Sequence, residues 1–369
     1  MSRRTYRVLA ALLFAALVPL ALWAWNRDGG SRGKPRKFSA EFFDTFNTLV
    51  SFTAFVKDDA EFERYSNILH EEMSRLHRLF DIYNSYDGLV NMKTLNDAAG
   101  TAPMRVDPSI AELLEIARNA YDDTGGAVNA ALGPVLSIWH DHRERALANG
   151  EDASVPSRSE LIAAGSHISV HDIVIDRERS TVFLRYDDMR LDVGALAKGY
   201  AVQKTVELLR KSGLQSGLIN AGGNVAVIGE PLDGRETWSI GVRAPSDGDV
   251  SKILDVLYLS NGSVVTSGND QRYFTAEGRR YHHIIDPKTL FPADGVRAVT
   301  VFHPDSATAD ILSTAAFILP RDEARSLIAR HGAEAIWLMS DGTKLATPGY
   351  LRLSQLGGSA AEKEGSGKP

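Results

Sequence analysis

The chain has 369 residues and a formal net charge of −6, with 44% hydrophobic and 24% charged residues. This composition is typical of a globular protein with a sizeable core, and its acidic balance argues against a nucleic-acid-binding protein, which needs a basic surface. The sequence contains no cysteine, which excludes disulfides, zinc–thiolate sites, cysteine nucleophiles and lipid attachment through cysteine.

Residues 1–25 differ in character from the rest of the chain. Arg3, Arg4 and Arg7 precede an uncharged stretch, Val8 to Trp25, that is long enough to span a bilayer. Arginines before this stretch and tryptophans at its far end favour a membrane anchor whose N-terminus lies in the cytoplasm. A cleaved signal peptide is the alternative. We therefore expect an extracytoplasmic protein, anchored in the cell membrane or secreted if the segment is cleaved.

Residues 26–37, rich in glycine and cations, predict a linker, and residues 354–369 predict a disordered tail. Residues 38–353 are expected to form one compact unit. Within it, Thr48–Val56 alternates like a strand, whereas Asp59–Phe80 has apolar residues at helical spacing. Because strands and helices do not alternate strictly along the chain, the sequence predicts an α+β fold with mixed, largely antiparallel sheets and packed helices.

Two glycine-containing segments are candidates for a ligand site. In RLDVGALAKG, Asp192 ends a predicted strand and Lys198 lies near the start of a helix, where free N–H groups favour phosphate. A capped strand–helix junction explains that segment as well. In INAGGNVAVIG, Gly222 and Gly223 precede Asn224 and would let a ligand approach the backbone. A tight hairpin explains the two glycines equally well.

The segment RRYHHIIDPKT carries two adjacent histidines at the end of a predicted strand. Neighbouring residues on a strand face opposite ways, so His282 and His283 cannot both point into one site. Either of them could be a base, a ligand or an ordinary hydrogen-bonded residue.

The segment PDSATADILSTAAFIL predicts a buried helix with an acid in its middle. On a helix, Asp310 and Thr314 share one face. A buried carboxylate is costly unless it is paired, and the segment contains no Lys or Arg. An acid and a hydroxyl form an all-oxygen pair that suits Mg²⁺. The alternative is that a backbone or arginine partner satisfies Asp310.

Taken together, five segments resemble the ApbE-like FAD:protein FMN transferases: LDVGALAKGYAV, LINAGGNVAVIG, VVTSGNDQRYF, YHHIIDPKT and AVTVFHPDSATADILSTAAFIL. The similarity extends over nearly all of residues 38–353. Two further segments, FDIYNSYDGLVNMKTLND and GGAVNAALGPVLSIWHDHRE, look most like the extracytoplasmic flavin transferases of Gram-positive bacteria. Those proteins are usually lipoproteins, which this cysteine-free chain is not.

The resemblance implies an enzyme that cleaves the diphosphate of FAD, releases AMP and attaches FMN through a phosphoester to a Thr or Ser of an acceptor protein. It also implies an exported FMN-binding acceptor that belongs to an electron-transfer chain. Two departures from the family pattern are Phe43–Thr45, in place of Met-Gly-Thr, and Thr289–Pro292, in place of Thr-Gly-x-Pro.

The resemblance further implies site residues. Asp310 and Thr314 match the side-chain ligands of Mg²⁺, and Ala195 matches a backbone-carbonyl ligand. Asn129 stands where an Asp is common in the family. The implied FAD-binding positions are Tyr83, Ala127, Val128, Asn129, Asp192, Lys198, Gly222, Gly223, Asn224, Ser267, His283 and Ile284.

For the chemistry, we expect Mg²⁺ to neutralise the diphosphate and a base to take the proton of the acceptor hydroxyl. His283 is our candidate base, and Asp286 and Asp192 compete with it. Tyr83 is either a stacking partner for the flavin ring or a core tyrosine. Two rival functions remain, namely an FAD pyrophosphatase that gives FMN and AMP, and a non-catalytic flavin carrier.

Overall fold

The computed structural model describes residues 34–149, 153–245 and 252–358. The proposed anchor in residues 1–25 and most of the proposed linker lie outside these residues. Within the described part of the chain, no helix combines the length and the apolar character needed to cross a membrane.

The described residues form strands and helices in mixed order. The strands are β1 (Arg36–Thr45), β2 (Thr48–Val56), β3 (Met104–Arg105), β4 (Ile173–Asp176), β5 (Thr181–Leu184), β6 (Gly217–Ala221), β7 (Asn224–Ile228), β8 (Trp238–Arg243), β9 (Ile253–Leu259), β10 (Gly262–Gly268), β11 (Tyr273–Ala276), β12 (Arg279–His282), β13 (Val296–His303), β14 (Glu334–Met339) and β15 (Lys344–Ala346). The helices are α1 (Asp59–Phe80), α2 (Met92–Asp97), α3 (Pro108–Asp123), α4 (Gly133–Asn149), α5 (Arg158–Ala164), α6 (Ala197–Lys211), α7 (Ser306–Ile318), α8 (Arg321–Arg330) and α9 (Pro348–Leu353).

An eight-stranded sheet in the order β1-β2-β6-β7-β10-β13-β14-β15 forms the centre of the molecule. Each neighbouring pair in it is antiparallel. Three small sheets, β3-β5-β4, β8-β9 and β11-β12, surround it and are also antiparallel. The predicted α+β class with antiparallel sheets is therefore confirmed.

The two faces of the central sheet pack against different layers. Helices α1, α6, α7 and α8 cover one face, where Phe52 and Val265 are buried. The hairpin β8-β9 and helix α9 cover the other face, where Phe55 and Val264 are buried. The adjacent Val264 and Val265 thus enter different cores, because side chains alternate across a strand. A third core lies between α4, α5 and the hairpin β11-β12.

Helix α7 is buried on nearly all sides, which explains its apolar sequence. It lies between α6 and strands β10 and β13. Asp305 caps its start, because the side chain accepts a 2.7 Å hydrogen bond from the backbone N–H of Thr308. The predicted start signal therefore works as a capping residue, and α7 carries Asp310 into the interior.

Three local predictions differ from the structure. Strand β1 begins at Arg36, inside the proposed linker, because it pairs with β2 along its length. The proposed tail is attached to the fold at its start, since Ser354 is buried and bridges to Leu257 of β9. The segment around Asp192 is an extended loop that belongs to no sheet, and the Asp192 N–H donates instead to the carbonyl of Ala130 at 2.9 Å.

Candidate active site

The contact between helices α6 and α7 holds the buried carboxylate of Asp310. The side chain is 4% exposed, and its Oδ2 accepts a 2.8 Å hydrogen bond from the backbone N–H of Gly199. A Cβ atom at Gly199 would lie 2.4 Å from Cβ of Asp310 and 2.5 Å from the carbonyl oxygen of Ser306. Only glycine therefore allows the two helices to approach this closely.

The electrostatic environment of Asp310 combines burial with one nearby cation. Burial raises the pKa of its carboxyl, while the positive charge of Lys198, the Gly199 N–H and the Asn224 amide act in the opposite direction. The Nδ2 atom of Asn224 is buried and makes no hydrogen bond of normal geometry. Asp310 is thus an acid whose charged form would be stabilised by a further cation.

Hydroxyl groups gather next to Asp310, where strand β10 ends against α7. The Oγ atom of Ser267 lies 2.8 Å from Oγ of Ser313 and 3.4 Å from Oγ1 of Thr314. Ser313 in turn donates a 2.9 Å hydrogen bond to the backbone carbonyl of Asp310. The structure thus brings Ser267 against Thr314, one of the two proposed side-chain ligands of the metal, and against Ser313, which bonds to the backbone of the other.

The turn between β6 and β7 explains the pair of glycines. Gly222 and Gly223 have φ angles of 58° and 96°, and they join Ala221 directly to its cross-strand partner Asn224. Left-handed conformations at both central residues characterise a tight type I′ hairpin. This is the hairpin that the sequence analysis left open, and it also places Asn224 beside Asp310.

The loop before α6 contains Asp192 and Ala195. The Asp192 side chain accepts a 2.8 Å hydrogen bond from the backbone N–H of Gly194. Burial raises the pKa of Asp192, and the charges of Arg272 and His140 partly oppose that effect. Ala195 is half-buried in the turn that leads into α6.

The side chains of Ala127, Val128 and Asn129 are all buried. Asn129 donates a 2.9 Å hydrogen bond to the carbonyl of Ile168 and accepts one of 2.9 Å from the N–H of Ala131. An asparagine serves this position because it can donate and accept at once, as an ionised aspartate cannot.

Tyr83 is 56% exposed and therefore is not a core tyrosine. Its ring packs against the ring of His140 on α4, with centroids 5.4 Å apart and an interplanar angle of 39°. Burial and the negative charge of Asp192 raise its pKa. The loop that carries Tyr83 is fixed by Asp81, whose Oδ1 accepts a 2.7 Å hydrogen bond from the Tyr83 N–H.

The two histidines face opposite sides, as strand alternation requires. His282 is buried, where its Nε2 lies 2.8 Å from the carbonyl oxygen of Ala293 and its Nδ1 accepts from the N–H of Ile284 at 3.3 Å. Both ring nitrogens are therefore used inside the fold. Ile284 is itself buried, and its carbonyl accepts from the Ala293 N–H at 3.0 Å.

His283, unlike His282, is exposed to solvent. Its backbone N–H donates to the carbonyl of Arg272 at 3.0 Å, and its Nδ1 lies 3.3 Å from the same oxygen. That contact favours the tautomer with hydrogen on Nδ1, which leaves Nε2 as an acceptor. Although part of the side chain reaches solvent, desolvation and the charges of Arg272 and Lys198 lower its pKa to about 3. The imidazole is therefore neutral at pH 7.

Asp286 follows His283 by three residues and is partly buried. It lines a cavity of about 430 Å³ together with Ala127, Ala316 and Trp337. Its Oδ1 accepts a 2.9 Å hydrogen bond from the backbone N–H of Lys288. Asp286 thus stabilises the turn after His283.

The donor atoms present fit Mg²⁺ better than a softer metal. Within the described ranges, no group of three or more His, Asp or Glu side chains could hold a metal ion. One carboxylate, one hydroxyl and a backbone carbonyl are instead the oxygen donors that Mg²⁺ accepts when water and phosphate oxygens complete its shell.

The structure adds residues that the sequence reasoning missed. Gly199 had a usable signal, since a glycine in the first turn of a predicted helix implies a close contact. Arg272 and His140 had none, because each belongs to an ordinary-looking segment that only the fold brings to Asp192.

Comparison with known proteins identifies the family of this chain. The ApbE family is matched over residues 46–337. The chain belongs to the ApbE family. It is 32% identical over 293 residues to the FAD:protein FMN transferase of Klebsiella pneumoniae, which covers 76% of this chain and 87% of that one. It is 36% identical over 269 residues to the FAD:protein FMN transferase of Treponema pallidum, which covers 70% and 74%.

A solved structure of this ApbE family agrees with the fold. The crystal structure of the ApbE protein from Thermotoga maritima is 28% identical, with a TM-score of 0.75 over 86% of this chain and 99% of that one. The family resemblance inferred from the sequence segments is therefore confirmed.

Proposed function

We propose that the protein transfers FMN from FAD to a Thr or Ser hydroxyl of an acceptor flavoprotein and releases AMP. Membership in the ApbE family, whose relatives above are FAD:protein FMN transferases, supports this activity. The structural observation that best supports this activity is the buried Asp310. Its carboxylate accepts a hydrogen bond from Gly199, and the charge of Lys198 stabilises its ionised form.

In this proposal, the Asp310 carboxylate, the Thr314 hydroxyl and the Ala195 carbonyl would hold Mg²⁺. When bound, the ion supplies positive charge to the diphosphate and so reduces its repulsion of an incoming oxygen. The raised pKa of Asp310 supports this assignment, because a buried carboxylate without a cation is electrostatically unfavourable.

The transfer forms one bond and breaks another. The acceptor oxygen bonds to the phosphorus of the FMN moiety, and the bond from that phosphorus to the bridging oxygen breaks. AMP leaves with the bridging oxygen. Lys198, at the start of α6, binds the phosphate through its charge.

The hydroxyl proton goes to Nε2 of His283, the ring nitrogen left as an acceptor by the contact at Nδ1. A low pKa makes free His283 a weak base. Anionic phosphates bound nearby would raise that pKa, because a negative charge favours the imidazolium form.

Tyr83 would stack against the flavin ring. Its exposed ring rests on His140, and an aromatic ring stacked on its open side would gain roughly 0.5–1.5 kcal/mol beyond area burial. Ala127, Val128, Asp192, Gly222 and Ile284 are proposed to form further walls of the FAD site, together with Asn129, Gly223, Asn224 and Ser267.

One experiment separates the three candidate activities. The full chain is incubated with FAD, Mg²⁺ and an FMN-binding acceptor domain, and the products are analysed on a denaturing gel and by chromatography. Flavin fluorescence on the acceptor with stoichiometric AMP supports transfer. Free FMN and AMP without labelled acceptor indicate a pyrophosphatase, and a yellow protein without AMP indicates a carrier.

We further propose that residues 1–25 anchor the protein outside the cytoplasm, where an exported acceptor of an electron-transfer chain would meet it. The arginines before the uncharged stretch support this orientation. Protease added to intact cells, after the outer envelope is opened, should digest an anchored extracytoplasmic domain. Protection until the membrane is lysed would contradict the proposed location.

A further inference from the structure

Arg272 is an exposed cation fixed next to the proposed base. It directly precedes β11, and its carbonyl accepts hydrogen bonds from the His283 backbone and lies 3.3 Å from the ring Nδ1. The guanidinium itself forms no hydrogen bond or ion pair with the described residues. Its backbone is therefore fixed while its five N–H donors remain available.

The positive charge of Arg272 acts on three ionisable groups of the candidate site. It acts on Asp192 in the loop before α6, on Tyr83 after α1 and on His283 after β12. Three groups far apart in sequence are thus influenced by the charge of one guanidinium. Lys198 acts on the same His283 from the start of α6, and it acts on Asp310 as well.

Within the described residues, neither Arg272 nor Lys198 forms an ion pair with a carboxylate, and both act on the same histidine, an arrangement that suits an anionic ligand. The neighbouring Arg279 shows the alternative behaviour, because its guanidinium lies over the ring of Tyr281 at 5.5 Å and 3.9 Å from Asp294. In the described part of the chain, the Arg272 guanidinium has neither an aromatic ring below it nor a carboxylate within ion-pair distance. A planar guanidinium can donate two parallel hydrogen bonds to a phosphate, whereas an ammonium acts as a point charge.

We propose that Arg272 binds the diphosphate of the dinucleotide from the β11 side of the cleft while Lys198 binds it from α6. This inference rests on the proposed function for the identity of the dinucleotide. It assigns Arg272 to the phosphates, and neither to the flavin ring nor to an internal ion pair with Asp192.

Ligands that differ in their phosphates test this assignment. FAD and ADP contain the diphosphate, whereas riboflavin contains the flavin ring without any phosphate. Affinities of the full chain for these three ligands are measured by calorimetry with Mg²⁺ present. The variants are Arg272→Met and Arg272→Lys, with Arg279→Met as the matched control on the same hairpin.

We expect Arg272→Met to weaken FAD and ADP binding roughly ten- to hundredfold, as for a lost hydrogen bond to a charged group. Riboflavin affinity should change by less than about twofold, because no phosphate is involved. The affinities of Arg272→Lys for FAD and ADP should lie between those of the native chain and of Arg272→Met, because lysine keeps the charge but loses the planar pair of N–H donors. Arg279→Met should bind all three ligands as the native chain does.

Two results overturn the inference. Equal weakening of FAD and riboflavin would assign Arg272 to the flavin, and unchanged ADP affinity would show that it does not touch phosphate. The outcome is independent of catalysis, because a native chain that binds FAD but transfers no FMN would refute the proposed function without altering the affinity ratios. Arg272→Lys keeps the test valid if Arg272→Met fails to fold.

Discussion

The backbone N–H of Gly199 donates a 2.8 Å hydrogen bond to the carboxylate of Asp310 across the contact of α6 and α7. This bond requires the two helices to meet where a glycine replaces a side chain. The same contact brings Lys198, the residue before Gly199, close enough for its charge to stabilise the ionised form of Asp310. One close helix contact thus fixes both the proposed metal ligand and the proposed phosphate-binding cation.

Gly199→Ala tests this contact directly. The added methyl would lie 2.4 Å from Cβ of Asp310, so α6 and α7 must separate. We expect the free energy of unfolding to fall by about 1–3 kcal/mol, as for overpacked cores, and FMN transfer to be lost. Denaturant unfolding and the gel assay measure the two effects. Gly234→Ala adds a methyl in open space, also at a positive φ and outside the proposed site, and a loss as large there would argue against a specific role for the helix contact.

Asp310→Ala should abolish Mg²⁺-dependent transfer and leave the fold intact. Mg²⁺ should raise the melting temperature of the native chain but not of the variant, because ligand binding stabilises the state that binds it. Calorimetry with and without Mg²⁺ checks this. Full activity of the variant, or its global unfolding, would refute the assignment.

The metal-free protein offers a pH test of Asp310. A raised carboxyl pKa means that the folded state binds the proton more tightly than the unfolded chain does. The contribution of protonated Asp310 to the free energy of unfolding is therefore present at low pH, and it is lost as the pH rises through the pKa of the folded state. Asp310→Asn should flatten that part of the pH–stability curve measured by urea unfolding. A curve that coincides with that of the native chain would show that Asp310 does not titrate with folding.

His283→Asn should lower kcat and preserve FAD affinity, because the proposed role is proton transfer. The lowered pKa of His283 also predicts that kcat/KM has no acid limb near 6.5 from this residue. Steady-state rates between pH 5 and pH 9 check both points. Since the ring nitrogens of His282 bond within the fold, His282→Asn should instead lower stability. A kcat for His283→Asn equal to the native value would show that another group is the base.

Tyr83→Ala should weaken riboflavin binding, and Tyr83→Phe should retain it. Loss of one aromatic stack corresponds to roughly 0.5–1.5 kcal/mol in addition to the lost area burial. Fluorescence titration with riboflavin measures the difference without any phosphate contribution. Because the ring is exposed in the fold, neither change should lower the unfolding free energy appreciably. Equal affinities for both variants would show that the ring does not stack on the flavin.

Much of the fold could be predicted from local patterns. Thr48–Val56 is a strand, Asp59–Phe80 is a helix, and Asp305 caps α7, as alternation, helical spacing and the start signal indicated. The misses were places where pairing with distant chain decides the structure. Arg36 and Lys37 look like linker residues, yet they pair with Val56 and Phe55 of β2, respectively. Ser354 looks like the start of a tail, yet it bridges to β9.

The sequence by itself determined that an acid and a hydroxyl share one helix face, that two adjacent glycines form a turn or a ligand contact, and that only one of two neighbouring histidines can face a site. These conclusions follow from periods of 3.6 and 2 residues, which are properties of the local backbone. Only the tertiary structure decided which histidine is buried, that Gly199 receives Asp310, and that Arg272 reaches Asp192, Tyr83 and His283. Those relationships join residues far apart in the chain, and they depend on how helices and strands pack.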